Sequence, residues 1–258
     1  MSDTTEQILD QVLARVQGIW ASPIPVARFE FELKRLERIV KEYRRKEPTR
    51  AFYLLGLLAT LMDDPERMRA SFRNALAHSG NDFDVRHGFG SCLARLGFFS
   101  EARNQYELLY QDNPEDLDVL AELIVSSLAA GRIQEGVKWI QCWSELNPDR
   151  PFEEAETIAR SGALLQKFGI SDDQVERLQG LALRILEKER KEVKTINYRG
   201  MPEENPQWID ASLVLDEPED VVDALNSKLA SALSNTTTPR KVADLVVFNY
   251  AREHQSVS

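Results

Sequence analysis

The chain has 258 residues, of which 43% are hydrophobic, and it carries a formal net charge of −10. The hydrophobic fraction is large enough for a folded core and excludes a wholly disordered chain. The acidic balance argues against general nucleic-acid binding, because such binding requires a basic surface that displaces counterions from phosphates.

The N-terminal segment and the two cysteines indicate the compartment. Residues 1–6 are acidic and polar, and they lack the basic and apolar regions of a signal peptide. Apolar runs all fall short of the roughly 18 residues that a membrane helix needs. Cys92 and Cys142 lie in predicted helices without a CxxC partner, which is typical of reduced core residues. We therefore expect a cytoplasmic protein without membrane insertion.

Two helices are predicted before the first regular repeat, over residues 4–19 and 26–45, separated by the breaker Ser22-Pro23-Ile24-Pro25. Their predicted buried residues are Ile8, Val12, Val16 and Ile19 in the first, and Phe29, Leu33, Leu36 and Val40 in the second. Arginines, lysines and glutamates alternate along the second helix at spacings that allow i,i+4 ion pairs. This pattern favours a solvated helix face, and a basic docking surface for an acidic partner is the alternative.

An internal repeat of 34 residues follows. The pairs of residues that share this spacing are Gly56/Gly90, Gly97/Gly131, Pro114/Pro148, Phe72/Tyr106 and Ala75/Leu109. A fixed period on several independent landmarks indicates repeated helix pairs rather than one irregular helical domain.

The residues of one repeat, 83–116, explain the pattern physically. Gly90 lets the second helix of the pair cross close to the first, and Tyr106 and Leu109 are expected to bury against the next repeat. Gly97 follows the first helix, where a left-handed residue ends it. Pro114 interrupts the chain before the next helix.

Over residues 49–150 this pattern resembles the tetratricopeptide (TPR) family. The resemblance implies helical hairpins that stack into a solenoid, and a role in binding other proteins rather than in catalysis. Residues 1–48 and 151–191 are predicted to be irregular helix pairs of the same array. Residues 192–258 alternate between strand and helix patterns and predict a separate, small α+β module. Its predicted parts are a strand over 193–198, a turn over 200–206, an alternating strand over 208–215 with Ile209, Ala211, Leu213 and Leu215 on one face, a helix to about residue 233, and over 242–252 a third strand, with a last helix as the alternative. The expected fold is therefore mainly α, a TPR-like solenoid followed by an α+β module.

The sequence contains little that suggests catalysis. His78, His87 and His254 lie outside any metal-ligand spacing, and the chain has no nucleophile elbow or phosphate-binding loop. We therefore expect no metal, no cofactor and no catalytic residues, and we expect that the protein is not an enzyme.

The TPR resemblance also implies a binding groove, because the first helix of each repeat lines the concave face in that family. The matching positions are Arg50, Tyr53, Leu57, Thr60, Asp84, His87, Ser91, Arg95, Asp118, Glu122 and Val125. The family's clamp for acidic C-terminal peptides needs asparagine and basic residues in the groove. His87, Asp118 and Glu122 depart from that pattern, so a partner segment of mixed or basic charge is expected.

Three hypotheses about function follow from the sequence. The first is an adaptor or scaffold that binds a partner protein through the concave face, the C-terminal module or both. The second is a dedicated chaperone for a secreted or unstable client. The third is an enzyme, or a regulatory subunit of one, that acts through the C-terminal module.

Overall fold

The computed structural model describes residues 4–80, 82–189, 191–201, 203–204, 206–236 and 240–252. The chain divides into two compact units, Met1–Asp112 and Asn113–Ser258. The helices of the first unit are α1 Thr5–Trp20, a 3₁₀ helix Val26–Phe29, α2 Glu30–Tyr43, α3 Pro48–Leu61, α4 Pro65–Ser79, α5 Phe83–Arg95 and α6 Phe99–Asp112.

Local sequence signals set several helix ends in the first unit. Thr4 forms a reciprocal capping box with Gln7 at the start of α1. Pro48 and Pro65 occupy the first turns of α3 and α4, where a missing N–H costs nothing. Gly97, which follows α5, has a φ of 79°, a left-handed conformation that a side chain would disfavour. The sequence prediction of this helix end is confirmed.

The first two helices differ in detail from the prediction. Leu9 is fully buried in α1, whereas Ile8 is only half-buried. The second predicted helix begins as a 3₁₀ turn, and Phe29 in that turn is half-buried beneath the guanidinium of Arg15, 5.6 Å from the ring centroid. Phe29 is therefore not a core residue, because the 3₁₀ turn places it away from the buried face of α2.

The helices of the first unit pack in consecutive pairs through glycine–aromatic contacts. In α3, a Cβ built on Gly56 would lie 2.5 Å from Cε2 of Phe72 in α4. In α5, a Cβ on Gly90 would lie 2.9 Å from Cζ of Tyr106 in α6. Both aromatic side chains are fully buried. The repeated glycine therefore supplies the close helix crossing that the 34-residue period predicts.

The second unit begins with four helices and ends with a three-stranded sheet. Its elements are α7 Leu117–Ala129, α8 Ile133–Leu146, α9 Ala155–Lys167, α10 Asp172–Glu189, β1 Thr195–Met201, β2 Trp208–Leu215, α11 Glu219–Ser234, α12 Arg240–Leu245 and β3 Val246–Arg252. The chain is thus mainly helical with a small sheet after the helix pairs, as the sequence predicts.

The sheet has the order β1-β2-β3, with β1 antiparallel and β3 parallel to β2. The alternation predicted for β2 is confirmed, because Ile209, Ala211, Leu213 and Leu215 are all fully buried. Strand β1 continues through Gly200 and Met201, where a turn is predicted. The last segment, where the sequence favours a strand and allows a helix, contains both the short helix α12 and the strand β3.

The sheet shares its core with the helices of the second unit. Strand β1 lies on α9 so closely that a Cβ on Gly200 would be 3.0 Å from the amide nitrogen of Ser161. The buried hydroxyl of Tyr198 lies within hydrogen-bond distance of two acceptors, the carbonyl of Leu128 at 3.2 Å and Oε1 of Gln179, which share its single proton. The hydroxyl of Tyr250 in β3 donates to the carbonyl of Ala182 in α10 at 2.7 Å. The predicted domain boundary between residues 191 and 192 lies inside this unit, and an independent module after it stays a prediction.

Asp172, the first residue of α10, caps a different helix. Its carboxylate accepts hydrogen bonds from the backbone amides of Gln134 at 3.0 Å and Glu135 at 2.9 Å, in the first turn of α8. Arg132, at the N-cap position of α8, makes no side-chain cap of its own. Burial raises the pKa of the Asp172 carboxyl, and the two amide hydrogen bonds oppose that shift. Asp172 therefore supplies the cap that the local sequence of α8 lacks.

We expect Asp172→Ala to lower the free energy of unfolding of the second unit by about 1–2 kcal/mol, because two amides of α8 lose their acceptor. Asp173→Ala is the matched control, since Asp173 is exposed and loses only a surface ion pair with Arg132, worth less than about 1 kcal/mol. Urea unfolding followed by circular dichroism compares the two variants. An equal loss in both would show that the cap contributes nothing specific.

Candidate protein-binding surfaces

Three of the four predicted groove residues of α3, namely Tyr53, Leu57 and Thr60, pack inside the first unit. Leu57 and Thr60 are buried, and the hydroxyl of Thr60 donates to the carbonyl of Gly56 at 3.0 Å. Tyr53 is half-buried and packs across α5, because a Cβ on Gly88 would meet its ring at 2.6 Å. These residues belong to the packing between helices in this structure.

The two arginines among the predicted groove residues contact α1. Arg50 forms an ion pair with Asp10, and the guanidinium of Arg95 lies over the Trp20 ring, 4.3 Å from its centroid. Helix α1 thus engages both positively charged groove positions of the first unit. No local pattern indicates these contacts, because each partner is distant in sequence and lies in an irregular helix pair.

The remaining predicted groove residues of α5 are Asp84, His87 and Ser91, which differ in their exposure. Asp84 is exposed, and the His87 ring stacks on Phe83 with centroids 6.0 Å apart. The hydroxyl of Ser91 donates to the carbonyl of His87 at 3.1 Å and is 3.1 Å from the hydroxyl oxygen of Tyr106. Asp84 and His87 therefore remain within reach of a partner, while Ser91 is held by its own unit.

In the second unit, Asp118, Glu122 and Val125 form an exposed surface along α7. Their spacing places all three on one face of the helix, and Val125 is 54% exposed. The opposite face carries buried side chains such as Leu120 and Ile124. We call Asp118, Glu122 and Val125 the α7 face. It is an acidic helix surface with one apolar side chain that is open to contact.

A surface cleft of about 460 Å³ lies between α4, α5 and α6. Arg69 in this cleft is bound to Glu101 through two hydrogen bonds of 2.6 and 2.9 Å, and Arg86 donates to Gln105 at 3.0 Å. The Arg69–Glu101 pair neutralises one of the three arginine charges that line the cleft. Most polar side chains of the cleft are therefore engaged with one another, and Arg73 lies exposed at its rim.

The histidines and cysteines of the described residues have mostly structural surroundings. No cluster of histidine, cysteine or carboxylate residues suited to a metal ion occurs within the described ranges. His78 stacks on Phe52, and His254 lies outside the described residues. Burial raises the pKa of the Cys92 thiol to about 12, which keeps it protonated at neutral pH. In the part of the chain that is described, no helix has the length and apolarity to cross a membrane.

Comparison with protein-family models finds no match for the chain, and comparison with the curated proteins finds none either.

Proposed function

We propose that the protein is a non-catalytic, TPR-like scaffold that binds another protein. Two features support this proposal. The two helices of a pair meet through Gly56 and Phe72 in α3 and α4, and through Gly90 and Tyr106 in α5 and α6. The two contacts are separated by the spacing of the internal repeat. Gly131, which follows α7, has a φ of 83°, and Gly97, which occupies the same position 34 residues earlier, has a φ of 79°. The absence of an enzymatic role, the chaperone hypothesis and the regulatory hypothesis stay predictions.

The α7 face is the observation on which the proposed binding role rests. Two carboxylates and a half-exposed valine project from one side of a helix whose other side is firmly packed. Such a surface suits a partner segment that combines basic and apolar side chains, because the basic groups pair with Asp118 and Glu122 while an apolar group covers Val125. The groove positions of the first unit are less available, since Leu57 and Thr60 are buried and Arg50 is paired.

The test is reversal of the charge on the α7 face. We expect Asp118→Arg with Glu122→Arg to reduce capture of at least one specific partner about tenfold. The loss of stability should be no more than about 1 kcal/mol, the cost of replacing the acidic residue in the first turn of α7 by a basic one. Affinity capture from the native host, with quantitative mass spectrometry, measures the change. The matched control is Glu187→Arg with Asp223→Arg, which reverses two exposed carboxylates elsewhere in the same unit.

The control should retain the captured partner. Identical capture profiles for the wild type and the α7 variant would contradict binding through this face. Capture of no specific protein by the wild type would contradict the scaffold proposal itself.

A further inference from the structure

Helix α2 has one buried face and one face that nothing covers in the described part of the first unit. Leu33, Leu36 and Val40 are buried. The opposite face carries side chains at the spacing of successive helix turns. Its members, all exposed, are Arg28, Phe31, Arg35, Arg38, Glu42 and Arg45, and we call them the α2 stripe.

Most glutamates of α2 are already used in ion pairs. Glu30 pairs with Lys34, Glu32 with Arg15, and Glu37 with both Lys41 and Arg67. The prediction of i,i+4 pairs is therefore confirmed at two places, Glu30–Lys34 and Glu37–Lys41. Both lysines of α2 are therefore paired with glutamates of the same helix, whereas its arginines are not.

The four arginines of the α2 stripe make no ion pair within 4.0 Å and no hydrogen bond with any described residue, although the charge of Arg35 contributes to lowering the pKa of the nearby Glu32 carboxyl. Glu42 is the single acidic member of the stripe. The formal charge of the stripe is therefore positive, although the net charge of the chain is −10. Arginine stems and guanidinium planes also bring apolar contact to such a surface. A local positive surface on an acidic protein attracts an acidic partner selectively.

Phe31 lies within this group of arginines and is 86% exposed. An exposed phenylalanine costs free energy in water unless a partner covers it, and aromatic and arginine side chains together are typical of interface centres. The stripe spans residues 28–45. Helix α2 supplies Glu30–Tyr43, about 21 Å at 1.5 Å per residue, while Arg28 lies in the 3₁₀ helix before it and Arg45 in the turn after it.

We propose that the α2 stripe binds an acidic amphipathic helix of a partner protein. A helix of about 18 residues matches the length of the stripe. Its carboxylates pair with the arginines, and one of its apolar side chains covers Phe31. The α2 stripe shares no residue with the α7 face, so it adds a second docking site to the proposed scaffold. Substitutions in the stripe should weaken peptide binding without affecting capture through the α7 face, and the reverse should hold for substitutions in the α7 face.

The composition of the stripe favours a protein over a membrane or a nucleic acid. Insertion of an amphipathic helix into lipid needs a free apolar face, whereas Leu33, Leu36 and Val40 of α2 are buried in the unit. Affinity for a nucleic acid grows with the number of phosphates that basic side chains neutralise, whereas the stripe offers four arginines, one glutamate and an exposed phenylalanine that a phosphate backbone does not cover. An acidic helix can leave an uncharged residue opposite Glu42 and still contact every arginine.

The experiment uses the full chain and a synthetic helical peptide of about 18 residues. The peptide carries glutamates at the helix positions that match the four arginines. It carries two leucines, one placed to meet Phe31 when the peptide lies parallel to α2 and one when it lies antiparallel. Fluorescence anisotropy of the labelled peptide should show saturable binding that weakens as salt is added. A scrambled peptide of the same composition, with glutamates distributed around the helix, should bind at least about tenfold more weakly.

Protein variants identify the residues involved. Arg35→Gln with Arg38→Gln should weaken binding about tenfold, and Phe31→Ser should weaken it by a similar factor. Glu42→Gln should strengthen binding, because it removes the one repulsive charge of the stripe. The control, Arg160→Gln with Arg240→Gln, removes the same total charge from two exposed arginines of the second unit and should leave affinity within about twofold.

Three results would overturn the proposal. The first is no saturable binding of the matched peptide, and the second is an equal loss of affinity in the control variant. The third is stripe-dependent binding to phosphatidylserine vesicles or to single-stranded RNA without binding to the peptide.

Discussion

Phe72→Ala should lower the free energy of unfolding of the first unit by about 3–5 kcal/mol, the usual cost of removing a buried phenylalanine ring. The Phe72 side chain is completely inaccessible to solvent. Its ring stacks on Phe89 with centroids 5.0 Å apart and meets Tyr53 edge-on at 5.7 Å. It therefore joins α4 to both α3 and α5.

The effect should lie at the upper part of the range because the site cannot collapse easily. Gly56, which faces the ring, has no side chain that could fill the cavity. Phe89 and Tyr53 are held by other helices, and a rigid cavity retains its full energetic cost. A loss of this size is a large fraction of the stability of an ordinary domain, about 5–15 kcal/mol.

Phe31→Ala is the matched control, because it removes the same ring from an exposed position of the same unit. We expect it to change stability by less than about 0.5 kcal/mol. Hydrogen exchange resolved by peptide measures the protection of α3 to α6 separately from that of the second unit. Equal protection in the two variants would show that Phe72 does not join these helices.

The helix pairs could be predicted because close packing places requirements on single residue types. Gly56 and Gly90 recur since any side chain there would meet an aromatic ring. Gly97 recurs since its backbone is left-handed. Such constraints act on one position at a time, so they remain visible as a period in the sequence.

The contacts of α1 could not be predicted in the same way. The ion pair between Asp10 and Arg50 and the contact between Trp20 and Arg95 join residues in different helix pairs. Their residue types are ordinary for an exposed helix surface, and no repeat relates them. Of the predicted groove, the α7 face was easier to anticipate because its exposure depends on helical spacing alone.

The C-terminal residues show the same limit. Alternation predicts β2 correctly, because buried and half-buried side chains alternate along Trp208–Leu213, before the strand ends in three buried residues. Alternation does not reveal which helices the sheet covers. The sequence therefore suggests a module that begins near residue 192, whereas β1 and β3 contact α9 and α10 directly.

A chain that ends at Lys191 should lose cooperative folding of α9 and α10. The deletion removes the Tyr198 hydroxyl from Gln179 and Leu128, and the Tyr250 hydroxyl from Ala182. It also removes the strands and α11, which cover α9 and α10. Each large buried side chain contributes about 1.5–3 kcal/mol, so loss of several exceeds the total stability of a typical domain.

Hydrogen exchange of peptides from α9 and α10 measures this outcome, and exchange there should approach that of an unfolded chain. The matched point variant is Tyr198→Phe, which keeps the sheet and removes one hydroxyl. It should cost only about 1–3 kcal/mol, because Gln179 and Leu128 lose a hydrogen-bond donor while the ring stays packed. The two variants together separate the contribution of one buried hydrogen bond from that of the whole sheet.

Full protection of α9 and α10 in the truncated chain would contradict this expectation. That result would favour the boundary at residues 191 and 192 that the sequence pattern suggests, with the sheet as an independently folded module. Loss of protection would mean that β1 completes the helical core. A partner that binds the last 67 residues would then also act on the stability of α9 and α10, because the sheet and these helices share one core.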